Sequence, residues 1–86
     1  MKAPRDQHFL VDPRAINRIA DVVDIRDRDV LEIGPGKGAL TRALLERGAR
    51  VRAVEVDAEL VEDLKVLFSD DIAAGRFQLT DRKSVV

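Results

Sequence analysis

Apolar positions in this chain fall into alternating helix-period and strand-period runs. Ile16, Ile19, Ala20 and Val23 recur at i, i+3, i+4 and i+7, one face of a helix over residues 13–23. Asp12 stands where a cap belongs, and Pro13 occupies the first helical position, where its missing N–H costs little. The charged run 24–29 is a connector, and residues 30–33 form a first strand. Residues 39–47 read as a second helix, with Leu40, Ala43 and Leu44 inward and Gly48 closing it. A second strand covers residues 50–56, with Val51 and Ala53 on one face and Val54 and Val56 on the other. Asp57 then caps a helix whose face is Leu60, Val61, Leu64, Leu67 and Phe68. A short turn or helix over residues 70–74 ends at Gly75, and residues 76–80 begin a third strand with Phe77 and Leu79 on one side. The first twelve residues show no periodicity and read as an extended arm. The order helix–βαβαβ predicts a parallel sheet with right-handed crossovers.

Composition narrows the class. At 86 residues the chain is at most one small domain, a size that buries only ~60% of its unfolded surface. Apolar residues at 45% and charged residues at 36% fit a globular chain, not a disordered or membrane-embedded one. No apolar run nears the ~20 residues that cross a bilayer, and no secretory leader is expected. Zero cysteines exclude disulfides and thiolate metal sites, and suit a cytoplasmic location. A net charge of -1 gives no overall pull toward nucleic acid. The basic lean of Lys2, Arg5, Arg14 and Arg18 against Asp6 and Asp12 reads as a solvated helix end.

The chemistry concentrates between the first strand and the second helix. Gly34, Gly36 and Gly38 alternate there, so backbone amides at a helix start are expected to lie bare, favoured by the helix dipole toward an anionic group. Glu55 lies at the carboxyl end of the second strand, where a carboxylate can accept from both hydroxyls of a ribose. Asp57 reads as the helix cap. Glu32 has two readings, a structural one and a contact with turn amides or water near a ligand. Gly34-x-Gly36-x-x-Ala39 also satisfies the dinucleotide fingerprint, whereas no G-K-[ST] supports a phosphate-binding Walker loop. Nucleoside binding follows. The residues leave open a methyl donor, a nicotinamide dinucleotide in an NAD(P)-dependent oxidoreductase, and a non-catalytic nucleotide-binding module.

The motifs Gln7-His8-Phe9-Leu10-Val11-Asp12, LEIGPGKGALT (residues 31–41) and Glu55-Val56-Asp57 stand in the order and spacing of one family. The chain resembles the ribosomal RNA adenine dimethyltransferases, whose pattern is Q-[NH]-F-L-x-D, E-I-G-P-G-x-G-x-L-T and E-x-D. His8 in the first motif looks like the archaeal branch. The resemblance covers residues 4–80 and implies a Rossmann-like, S-adenosylmethionine-dependent methyltransferase fold of the α/β class, here truncated to an N-terminal helix plus βαβαβ. It implies dimethylation of N6 on adjacent adenosines of small-subunit ribosomal RNA, with S-adenosyl-L-methionine as cofactor and neither metal nor membrane involved. A monomer is expected. By the same resemblance, His8 and Leu10 belong to an arm over the cofactor, Gly34 and Gly36 to the turn beside its methionine moiety, and Glu55 to its ribose.

Two features of that family are missing. After the third strand the family carries G-D-A, whose aspartate contacts adenine, and here Arg82-Lys83-Ser84 fall at that place. The later N-[LIV]-P-[YF] motif is absent too: Asn17 precedes Arg18-Ile19-Ala20, and the chain has no tyrosine. No residue is therefore assigned a catalytic role, and the chain alone is expected to hold cofactor without transferring methyl groups. Residues 1–80 read as the N-terminal part of a methyltransferase domain. Residues 81–86, DRKSVV, match a translated sequencing adapter and are expected to be a non-native tail. With three strands and faces that later elements would cover, a marginal, aggregation-prone fold is expected.

Overall fold

The computed structural model describes residues 12–81. The arm at residues 1–11, with His8 and Leu10, and the tail at residues 82–86 lie outside the described residues. Seven elements follow in order: α1 (Pro13–Ala20), β1 (Asp29–Ile33), α2 (Ala39–Glu46), β2 (Arg50–Glu55), α3 (Ala58–Leu67), α4 (Ser69–Ala73) and β3 (Phe77–Asp81). The sheet is parallel in the order β1-β2-β3, with Ile33 opposite Val54 and Glu55 opposite Asp81. Both crossovers step in the same direction, so right-handed connections put α2 and α3 on one face. The α/β arrangement agrees with the Rossmann-like expectation.

Local signals set the helix starts. The Asp12 carboxylate accepts from the Arg14 amide at 3.0 Å ahead of Pro13. Asp57 does the same for α3, accepting from Glu59 and Leu60. Ala43, Leu44 and Leu45 of α2, Val51 and Ala53 of β2, Leu64 and Phe68 of α3 and its end, and Phe77 of β3 form a continuous core. The Phe68 and Phe77 rings meet at 5.1 Å between centroids, tilted 54°. Arg76 donates to the carbonyls of Leu45 and Ala49, tying the start of β3 to the end of α2.

The structure corrects four details of the pattern. Helix α1 stops at Ala20 instead of continuing to Val23, and Ile19 and Val23 are exposed while Ile16 and Ala20 are buried. The Arg47 guanidinium takes Asp21 and Asn17 across the gap, so the chain turns there and brings Ile25 into the core. Leu67 is 52% exposed. Val61, Leu64 and Phe68 make the buried stripe of this region, and Leu67 falls at its margin. Strand β2 ends at Glu55, because Val56 already turns toward α3. Strand β3 runs on through Asp81, which pairs with Glu55, so the regular structure continues one residue into the segment expected to be a tail.

Among the described residues, helices cover one face of the sheet. Val30 and Glu32, Val51, Ala53 and Glu55, and Phe77 and Leu79 point toward the helices. On the opposite face Leu31 and Ile33 are exposed, as is Val56 just beyond β2. No helix among the described residues is long and apolar enough to cross a membrane.

Candidate functional site

The carboxyl ends of β1 and β2 bring the glycine turn and Glu55 together. Gly34, Gly36 and Gly38 all hold positive φ, at 66°, 60° and 88°, a region costly for side-chain-bearing residues. They serve different ends. A Cβ on Gly34 would meet nothing within 4 Å, so its surface faces open space. A Cβ on Gly38 would lie 2.7 Å from the Phe68 ring, so this glycine lets α2 start hard against the end of α3.

The amides of these glycines are not bare, and that expectation is corrected. The Gly34 amide donates to the Val54 carbonyl at 2.8 Å, and the Gly38 amide to the Pro35 carbonyl at 3.0 Å. The Gly36 amide donates to Glu55 Oε1 at 3.2 Å. A short strand-to-helix turn can satisfy its own donors, and buried donors left unpaired are costly. These three glycine amides are therefore committed within the turn, Gly36 to a carboxylate of the chain, whereas α2 starts behind Gly38 with no side-chain cap.

That carboxylate is the most heavily tied polar group of the site. Glu55 is only 5% exposed. Besides Gly36 on Oε1, it accepts on Oε2 from the amides of Val56 at 2.9 Å and Asp57 at 3.0 Å. The side chain thus joins the turn after β1 to the turn after β2. Asp57 is occupied as the cap of α3.

Glu32 resolves toward its structural reading. It is 8% exposed and accepts on Oε1 from the hydroxyl of Thr41, a fully buried residue of α2, at 2.5 Å. Burial pushes the Glu32 carboxyl above the usual range, and the Thr41 hydroxyl only partly offsets this. The pair spans the glycine turn, one partner before it and one after. Thr41 was missed from the pattern; its place one helical turn before Leu44 and Leu45 was the available signal. Phe68 was assigned to the core, but nothing local revealed that it backs Gly38. Arg42 lies over the outer side of that ring at 4.6 Å.

Among the predicted site residues, Gly34, Gly36 and Glu55 are brought together, and His8 and Leu10 lie outside the described residues. The family model described as Ribosomal RNA adenine dimethylase matches residues 2–75. A probable ribosomal RNA small subunit methyltransferase A of Methanospirillum hungatei is 58% identical over 85 residues, covering 99% of this chain and 33% of that protein. The ribosomal RNA small subunit methyltransferase A of Geobacter metallireducens is 54% identical over 66 residues, covering 76% of this chain and 24% of its own. Among solved structures, the 23S rRNA methyltransferase ErmE superposes with a TM-score of 0.73 at 36% identity, over 85% of this chain and 29% of that one. A dimethyladenosine transferase from Plasmodium falciparum gives 0.69 at 26% identity, over 86% and 27%. The chain spans a third or less of the length of these relatives.

Proposed function

Because the chain belongs to the ribosomal RNA adenine dimethylase family, we propose that it holds S-adenosyl-L-methionine at the carboxyl ends of β1 and β2. The protein's activity, on this reading, is dimethylation of N6 on adjacent adenosines of small-subunit ribosomal RNA in the cytoplasm. Residues 1–80 are the N-terminal part of a Rossmann-like methyltransferase domain. The single observation that carries the reading is the Glu55 carboxylate bonded to Gly36, which puts an acceptor for ribose hydroxyls beside the turn.

The residues present fit the cofactor. Open space over Gly34 admits a ligand to the backbone, as a side chain there would not. Glu55 offers acceptor oxygens and no competing donor to a diol. His8 and Leu10 would close the arm over the ligand. Bound there, the cofactor supplies an electrophilic sulfonium methyl group. This chain's part is to bind and orient; the N-[LIV]-P-[YF] motif that would receive the target adenine is absent from its 86 residues. Methyl transfer by the chain alone is therefore not expected. No observation favours a nicotinamide oxidoreductase.

Calorimetric titration of the chain with S-adenosylhomocysteine and, separately, NAD tests the reading. Saturable binding of the first and none of the second is expected. Tighter binding of NAD, or no binding of either to folded chain, overturns it.

A further inference from the structure

Resting on the nucleoside-binding reading above, Glu55 has a second part to play. Its carboxylate already accepts three amides, from Gly36 on Oε1 and from Val56 and Asp57 on Oε2. An ionised carboxylate offers about four lone-pair sites, which leaves one. A ribose diol presents two donors. One existing bond must therefore yield if both hydroxyls are to be taken.

The geometry identifies which. Val56 and Asp57 follow Glu55 directly in the chain, so their amides are local partners that a small shift of the carboxylate can retain. The Gly36 bond is the longest of the three, at 3.2 Å against 2.9 and 3.0 Å, and it alone joins separate strands. The neighbouring amides of Gly34 and Gly38 are committed to backbone carbonyls of the ladder and the turn. We propose that the Gly36–Glu55 hydrogen bond is a latch that a ribose diol displaces. Without ligand, Oε1 holds the glycine turn against the end of β2. On binding, Oε1 passes from the Gly36 amide to the ribose hydroxyls, and the released Gly36 N–H donates to an oxygen of the ligand. The exchange keeps every buried donor paired, so the turn stays formed in both states. The latch selects nucleosides that carry both the 2′ and the 3′ hydroxyl.

The test uses the whole chain, labelled with nitrogen-15 and carbon-13, and follows the Gly36 amide and the Glu55 carboxyl carbon by NMR. Saturating S-adenosylhomocysteine is expected to shift both resonances together. Its 2′,3′-dideoxy analogue should bind roughly tenfold or more weakly, the loss of a charge-assisted hydrogen bond. It should also leave Gly36 at its ligand-free position while shifting Gly34. If S-adenosylhomocysteine binds with Gly36 and Glu55 unmoved, or if both ligands move Gly36 alike, the latch is overturned and the functional reading survives. If folded chain binds neither ligand, the functional reading fails and the latch with it.

Discussion

The two ends of the sheet treat their carboxylates in opposite ways. At the amino ends of the strands, Asp29 pairs with Arg50 and Asp21 with Arg47, all of them at or near the surface. At the carboxyl ends, Glu55 and Glu32 are buried and are held by backbone amides and a hydroxyl. A concavity of about 680 Å³ lies at the amino end between Ala20 and Gly48. Two of its carboxylates are spoken for: Asp21 by a guanidinium, and Asp24 by the amide of Arg26. On the proposed reading, what distinguishes the carboxyl end is a buried acceptor held by neutral donors, one of which a ligand would replace.

The sharpest way to break this contrast is through the glycines. Gly38→Ala places a methyl 2.7 Å from the Phe68 ring at a φ of 88°. It should cost about 2–4 kcal/mol from overpacking and left-handed strain together, enough to abolish a cooperative urea transition in a small domain. Gly34→Ala meets no neighbour. It should cost only about 1–2 kcal/mol of backbone strain, yet impair S-adenosylhomocysteine binding in calorimetry. Equal stability losses would show that the turn is uniformly packed and that no open surface exists at Gly34.

Glu55→Ala is expected next in size. Removing the acceptor of three amides and of the ribose should weaken S-adenosylhomocysteine binding roughly 100-fold or more. Unchanged affinity would remove the carboxyl end from consideration as the site.

How much of this was visible in the sequence depends on distance along the chain. The caps Asp12 and Asp57, the glycine turn and the place of Glu55 follow from neighbouring residues and stand where expected, and the strand ends fall within one residue of expectation. The end of α1 is held by Arg47, and the start of α2 lies against Phe68, partners far along the chain. The pairing of Glu32 with Thr41 and the occupied glycine amides likewise exist only once the strands are side by side. Periodicity gave Leu67 to the core because it reports a helix face, not how wide a stripe the neighbours cover.

Between the two ends, pH offers a subtler comparison. Burial raises the Glu32 carboxyl, so the folded chain disfavours its charged form. Its contribution to stability is fully present below the unfolded value and is lost as pH rises through the folded one. Glu32→Gln keeps a partner for the Thr41 hydroxyl and removes that loss. Thermal melts from acid to neutral pH should show the variant gaining on the parent as pH rises. A constant difference would mean that the buried carboxylate carries no desolvation penalty.

The smallest effect belongs to the amino end, where the sign reverses. The Arg50 guanidinium, through its hydrogen bond first and its charge second, holds the Asp29 carboxyl below the usual range. That contribution is present above the unfolded value and lost as pH falls through the folded one. Asp29 is 83% exposed and Arg50 48% exposed, so water and salt screen the pair. Asp29→Asn should leave the neutral-pH melting temperature unchanged within error at ~0.15 M salt, and leave S-adenosylhomocysteine affinity untouched. Only at low ionic strength should the parent show a slight extra decline on the acid side that the variant lacks. A large fall in melting temperature on this substitution would mean that surface pairs at the amino end carry the fold as much as the buried carboxylates do, and the distinction between the ends would no longer identify the site.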